Sequence, residues 1–235
     1  MSFYKILTPY YDQIFPSNKN TKQFLAENLR KGGKLLDVGA GTGNMALALA
    51  KEGYNVTATE PEEKMAEEIR KKALDETISL HAEAKAMQQL DEFTETYDGI
   101  YCIGNTLAHL RNLEEIDQFL QTAFKKLNKN GVFILQIVNF ERVLVNKDFS
   151  FPVIRKENFE FQRHYEIAEE NILFTTTLIA DGKTQSNTIP LYPATVSQLL
   201  PILESCGFKE INTYGNFNSS PYSIDTPALI ITAIK

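Results

Sequence analysis

The 235 residues include only two cysteines and three histidines. Cys102 and Cys206 lie far apart, each in an apolar segment, so neither a disulfide framework nor a thiolate zinc site is on offer and both are expected to be buried, reduced thiols. No paired histidines or carboxylates at helical spacing near the motifs below propose a metal, and none is expected. Apolar runs stay short of the ~18 residues a membrane span requires, and the N-terminal MSFYKILTPYYDQIF has no cationic stretch leading into an apolar core. A cytoplasmic location without a membrane partner follows as the expectation. Positive charge is not in excess either: the formal net charge is −6, and Arg70-Lys71-Lys72 and Lys125-Lys126 sit among acidic or apolar neighbours. Such groups form solvated helix faces rather than a phosphate-tracking surface, which argues against a nucleic-acid partner. Internal repeats and low-complexity linkers are absent.

What is present is an ordinary globular composition, 43% hydrophobic and 23% charged, in a length that suits one α/β core plus an insertion. Phe24, Leu25 and Leu29 recur at helical spacing over residues 21–30, and Gly32-Gly33 ends that pattern. Strands are expected at 34–38, 54–59, 78–82, 97–103 and 131–138, with helices at 44–51, 62–74 and 113–127. Strands alternating with helices imply a parallel sheet covered on both faces. After Asn139 the rhythm changes: 151–167 and 171–191 read as extended, the second interrupted by an Asp181-Gly182 turn, which predicts an antiparallel flap. A helix at 195–205 stopped by Gly207, a strand at 208–214, a turn-rich loop and a last strand at 228–233 complete the chain.

The densest chemical signal is Lys34-Leu-Leu-Asp-Val-Gly-Ala-Gly-Thr-Gly-Asn-Met-Ala-Leu-Ala-Leu-Ala50, a buried strand that runs through a glycine-rich turn directly into a helix. Gly39, Gly41 and Gly43 permit a sharp turn and close approach of a ligand, and the helix N-terminus offers free N–H groups. The dinucleotide fingerprint would place a third glycine or alanine where Asn44 stands, so the turn suits a nucleotide-like ligand without a pyrophosphate. Glu60, about 20 residues on at the tip of the second strand, can accept both hydroxyls of a ribose. Capping the helix that begins at Pro61 is a compatible second role for it.

The segments LLDVGAGTGNMALALA and TATEPEEKM are similar to the first two motifs of class I S-adenosylmethionine-dependent methyltransferases. His81-Ala-Glu-Ala-Lys-Ala-Met87 resembles the family's third-strand end. Tyr97-Asp-Gly-Ile-Tyr-Cys-Ile-Gly-Asn-Thr-Leu-Ala-His-Leu110 resembles the fourth-strand motif in its glycine N-methyltransferase-like form. Pro190-Leu-Tyr-Pro-Ala-Thr195 and the late loop Tyr214-Gly-Asn-Phe-Asn-Ser-Ser-Pro221 extend the likeness over most of the chain. The resemblance implies an α/β Rossmann-like sheet of seven strands in the order 3-2-1-4-5-7-6, the last antiparallel, with an antiparallel β insertion after strand 5. Residues 1–138 and 192–235 would form the cofactor-binding domain, 1–30 its cover, and 139–191 an acceptor-binding flap. The implied cofactor is S-adenosylmethionine, leaving as S-adenosylhomocysteine. Its expected contacts are Gly39, Ala40 and Gly41; Glu60, Pro61 and Met65; Glu83 on the adenine amino group with the Ala84 N–H; Cys102, Ile103 and Asn105; and Tyr11, ahead of Asp12, folded over the cofactor.

Methyl transfer from a sulfonium is an in-line displacement that needs proximity and exclusion of water more than a fixed catalytic group. His109, just past the fourth strand, is the candidate base for a small-molecule amine or hydroxyl acceptor, or else a structural histidine. Tyr10, Arg163, His164 and Tyr165 are candidates for the acceptor. Period-two alternation lets either His164 or its two neighbours face the site, not all three. Gly104-Asn105-Thr106-Leu107 replaces the Asn-Pro-Pro-Tyr or Asp-Pro-Pro-Tyr motif of nucleic-acid amino-methylating enzymes. A nucleotide-dependent oxidoreductase and a non-catalytic cofactor-binding protein stay open as rival readings, as does pairing into a homodimer.

Overall fold

The computed structural model describes residues 6–147 and 151–235. Strands β1 (Lys34–Val38), β2 (Asn55–Thr59) and β4 (Tyr97–Cys102) are buried along nearly their whole length, as parallel strands covered on both faces must be. With β3 (His81–Glu83), β5 (Leu127–Val138), β10 (Lys209–Tyr214) and β11 (Ala228–Ile234) they form one sheet in the order β10-β11-β5-β4-β1-β2-β3. β11 runs antiparallel to both β5 and β10, and the other neighbours are parallel. Counting β10 and β11 as the sixth and seventh strands, this is the expected order 3-2-1-4-5-7-6.

The helices are α1 (Tyr11–Ile14), α2 (Lys19–Asn28), α3 (Asn44–Lys51), α4 (Glu63–Asp75), α5 (Leu113–Lys126), α6 (Phe140–Asn146) and α7 (Val196–Cys206). α5 shows why these segments fold locally. The Asn112 side chain accepts the Glu115 N–H at 2.9 Å, acids occupy the first turn and lysines the last, and Ile116, Phe119, Leu120 and Ala123 turn inward together. Leu36, Val38, Ile100 and Leu135 build the core on one sheet face with α5 and α7. Leu35, Val56, Tyr101 and Ile134 build the other with α2, α3 and α4.

Three local expectations are corrected. β3 begins at His81 rather than residue 78, because the Ile78 N–H still closes onto the Ala73 carbonyl at the end of α4. β5 starts at Leu127, ahead of the predicted 131, and absorbs the extra residues through a register shift opposite Tyr97 and Gly99. α6 was not foreseen: the Asn139 side chain caps it by accepting the Arg142 N–H, and donates to the carbonyls of Ser223, Ile224 and Thr226. Cys102 is buried, whereas Cys206 on α7 is only half-buried, near Asp117.

The flap is an antiparallel sheet of β6 (Ile154–Arg155), β7 (Phe159–Ala168), β8 (Asn171–Ala180) and β9 (Lys183–Leu191). Asp181 and Gly182 both take positive φ, 52° and 70°, as the tight hairpin between β8 and β9 demands. At one end Phe159, Phe161 and Leu178 pack on Leu7 and Ile14 of the N-terminal segment. At the other, Tyr165, Ile172 and Leu191 join the main core. Among the described residues no helix is long and apolar enough to cross a membrane.

Candidate active site at the carboxyl edge of the sheet

The glycine turn leaves β1 with the N–H groups of Gly39 and Ala40 donating to the Thr59 carbonyl at 2.8 and 2.9 Å. Gly39, Gly41 and Gly43 all have positive φ, and a Cβ on Gly39 would stand 2.3 Å from the Thr106 methyl. That contact explains how closely the loop after β4 approaches the turn. At the tip of β2, one Glu60 oxygen accepts the Gly41 N–H at 2.9 Å and the other the Glu62 N–H at 3.2 Å. The carboxyl is buried, and this burial pushes its pKa up to about 7 in spite of the two donors. Asp37, deeper at the end of β1, is pushed up to about 8 by burial, with the Glu60 charge acting in the same direction.

A cavity of about 380 Å³ opens over this edge. Gly39, Glu60, Pro61, Glu62 and Met65 form one side; Ala86, Met87 and Gln88 the far wall; Tyr11, Gly104, Thr106 and His109 the near side. A second cavity, about 210 Å³, shares Tyr11, Gly39, Gly104 and Thr106 with the first and continues past Ala40, Ile103 and Gln136 to Asp37, Phe15 and Phe217. The shared residues stand at the junction between the two spaces. His109 lies on the near side of the cavity, where partial burial of the imidazole lowers its pKa and favours the neutral form.

The N-terminal segment is latched onto the turn. One Asp12 oxygen accepts from Thr42 Oγ1 at 2.5 Å and Asn44 Nδ2 at 2.9 Å, and the other from Lys72 Nζ at 2.6 Å. Lys72 also reaches the Thr42 carbonyl and the Asn44 amide oxygen. Lys72, read from the sequence as part of a solvated helix face, is instead mostly buried against Asp12, sixty residues away. Burial would raise the Asp12 pKa, but the bonds from Lys72, Thr42 and Asn44 outweigh it and hold the carboxyl below its ordinary value. A carboxyl depressed in the fold stabilises above its unfolded pKa and loses that contribution as pH falls through the folded one. Asp12→Asn is therefore expected to lower stability at pH 7 by about 0.5–1 kcal/mol, because the pair is partly solvent-screened. The deficit should shrink towards pH 3. Thermal melts across that range check this, and a deficit independent of pH would refute it.

Several expected site residues lie elsewhere. Glu83 shares a face of β3 with His81, and its carboxylate pairs with His81 Nε2 at 2.9 Å and Lys85 Nζ at 3.0 Å, away from the cavity. Ala84 does not line it either; Ala86, Met87 and Gln88 do. Gln89, which accepts the Ala86 N–H at 3.0 Å, was the available sign that the chain turns into a helix there. Cys102 is fully buried beneath the edge. The Asn105 amide oxygen accepts the Val138 N–H at 3.0 Å, so the side chain braces β5 instead of entering the cavity. Tyr10 packs edge-on against Phe159 on the flap. On β7 the alternation resolves with Arg163 and Tyr165 inward and His164 exposed to solvent. Tyr165 is buried among Phe140, Phe151 and Phe174. Among the described residues no group of three or more His, Cys, Asp or Glu could hold a metal ion.

Residues 35–131 match the family model described as a methyltransferase domain. A glycine/sarcosine N-methyltransferase of Aphanothece halophytica is 22% identical over 91% of this chain and 80% of its own. An S-adenosylmethionine-dependent methyltransferase from Clostridium acetobutylicum superposes with a TM-score of 0.85 over 99% of both chains at 14% identity. The S-adenosylmethionine-bound amino pentose methyltransferase of Micromonospora echinaspora does so at 0.75, covering 99% of this chain and 97% of that one at 18% identity. At such identities the solved structures speak for the fold, and the family model speaks for the domain that it matches. Residues 35–131 thus carry a methyltransferase domain, and with the glycine turn and the sheet order already described the relatives and the shared fold support a class I S-adenosylmethionine-dependent methyltransferase.

Proposed function

We propose that the larger cavity holds the adenosyl part of S-adenosylmethionine and that the methyl group is passed, near Tyr11 and His109, to a small-molecule acceptor in the cytoplasm. The observation that carries this reading is the buried Glu60 carboxyl beside the Gly41 N–H, inside a cavity of about 380 Å³ that is joined to a second one at Tyr11. The residues fit the cofactor chemically. Glu60 has two oxygens for a ribose diol, Pro61, Met65 and Met87 offer apolar walls for adenine, and the glycine turn admits backbone close to the ligand. Gly39, Ala40, Asp37 and Ile103, which border the smaller cavity, would receive the amino-acid end.

The cofactor supplies an electrophilic methyl carbon on a positively charged sulfur. The Tyr11 ring at the junction favours a cation beside it. The N-terminal segment and the flap keep water from the transfer, and a held acceptor gains in effective concentration. Neutral His109 at the mouth can take the proton that an amine or hydroxyl must lose. The relatives named for glycine and sarcosine N-methylation and the neighbour named for an amino pentose support an amine nitrogen as the acceptor atom.

Calorimetric titration with S-adenosylmethionine, S-adenosylhomocysteine and NADH tests the reading. Micromolar binding of both adenosyl ligands and none of NADH is expected, with Gly41→Arg abolishing it, because any side chain at Gly41 meets the Tyr11 hydroxyl at 2.8 Å. Failure of both adenosyl ligands to bind would end the proposal.

A further inference from the structure

The inward face of the flap is built in rows set by strand register. Phe161 stands opposite Leu178, Arg163 opposite Thr176 and then Asn187, and Tyr165 opposite Phe174 and then Ile189. The first row is covered by Leu7 and Ile14, and the third by the main core with Phe140 and Phe151. The polar row lies between them, about 6.6 Å from each along the strands. It therefore faces the seam between the N-terminal segment, which carries Tyr11, and the main domain, which carries His109. The end of the flap is fixed to that same region by the Tyr192 N–H, which donates to the Ala108 carbonyl at 2.8 Å.

Among the described residues this row is poorly partnered where its neighbours are satisfied. On the outer face Thr175 pairs with Thr188 and Thr177 with Ser186, each at 2.8 Å. On the inner face, among the described residues, neither Thr176 nor Asn187 uses its side chain in a hydrogen bond, although Thr176 is buried. Arg163 has no carboxylate partner among them, and its Nε is buried without any hydrogen bond. Among the described residues its Nη2 makes one long hydrogen bond, 3.4 Å to the Pro152 carbonyl, while the guanidinium lies 5.0 Å over the Phe151 ring. Desolvation lowers its pKa, so holding the charge there costs the fold free energy. A planar cation with a buried, unbonded Nε–H, flanked by hydroxyl and amide groups and framed by apolar rows, is the arrangement that orients an oxyanion.

We infer that Arg163, with Thr176 and Asn187 beside it, recognises an oxyanion group, carboxylate or phosphate, carried by the methyl acceptor. The inference rests on the reading of the two cavities at the carboxyl edge of the sheet as the methyl-transfer site. It assigns the acceptor to one chemical class: a small nucleophile with an anionic end held by the flap and its reacting atom directed to the seam.

The test loads the protein with S-adenosylhomocysteine and titrates sodium acetate and inorganic phosphate separately, with sodium chloride at matched ionic strength as control. Wild type is expected to bind one of the two oxyanions, and which one separates a carboxylate from a phosphate. Arg163→Met should weaken that binding about tenfold or more while leaving S-adenosylhomocysteine affinity unchanged. Without anion, its melting temperature should equal or exceed that of wild type, because an unpaired charge has been replaced by an apolar chain. If S-adenosylhomocysteine fails to bind wild type, the functional proposal itself falls. If it binds and neither oxyanion does, or Arg163→Met binds them equally, or the variant melts markedly lower or loses S-adenosylhomocysteine, the recognition row is overturned.

Discussion

Glu60→Ala is expected to weaken S-adenosylmethionine binding roughly a hundredfold, the scale of two lost charge-assisted hydrogen bonds. The pH dependence of wild type provides a sharper form of the test. Burial brings the Glu60 pKa up to about 7 in the cofactor-free protein, so the carboxyl is mostly protonated at pH 6 and mostly ionised at pH 8. Only the ionised form accepts both ribose hydroxyls, and affinity should rise about tenfold over that interval. Stability moves the other way. A carboxyl whose pKa is raised in the fold contributes fully below its unfolded value, and the contribution is lost as pH climbs through the folded one. Asp37, pushed up to about 8, acts in the same sense, so the ligand-free protein should melt lower at pH 8 than at pH 6. Glu60→Gln should flatten the affinity profile and raise the melting temperature at pH 8. Calorimetry at pH 6, 7 and 8 decides the matter, and an affinity that ignores pH in wild type would sink the assignment.

Gly39→Ala should be at least as damaging, for reasons of space. The residue sits at φ +74°, a conformation costing an alanine about 1–2 kcal/mol. The new methyl would also lie 2.3 Å from the Thr106 methyl, and crowding of this kind adds about 1–3 kcal/mol. A fall in melting temperature of about 5–15 °C is expected, together with loss of cofactor binding, because the loop carrying Gly104 and Thr106 is driven from the turn. Thr106→Ala combined with Gly39→Ala should recover the crowding part and not the backbone part. A double variant no better than Gly39→Ala alone would show that Thr106 is not the neighbour that matters.

The sheet and the glycine turn were legible because their signals are local. A buried strand, a run of glycines and an apolar helix follow one another within seventeen residues, and Glu60 ends the next strand. The far wall of the larger cavity was not legible for an equally physical reason. Near the short edge strand β3, pleating decides which side chains face the cavity, and Glu83 found cations on the other side. Asn105 has the polarity of a ligand-binding residue, but a backbone N–H at the end of β5 claims its amide oxygen, and sequence does not reveal such a competitor. The alternation of β7 narrowed the flap candidates to two sets without choosing between them. The packing of Phe161 and Tyr165 makes the choice and leaves Arg163 inside.

The latch and the flap share one consequence. The segment that holds Asp12 on Thr42 and Lys72 also carries Leu7 and Ile14, whose apolar surface is covered by Phe159, Phe161 and Leu178. Lifting Tyr11 away from Gly41 must either draw the β7–β8 sheet with it or strip that apolar contact bare to water. Under the proposed function, admission of the donor and reshaping of the acceptor's wall would thus be one mechanical event, and neither could be tuned by mutation without disturbing the other.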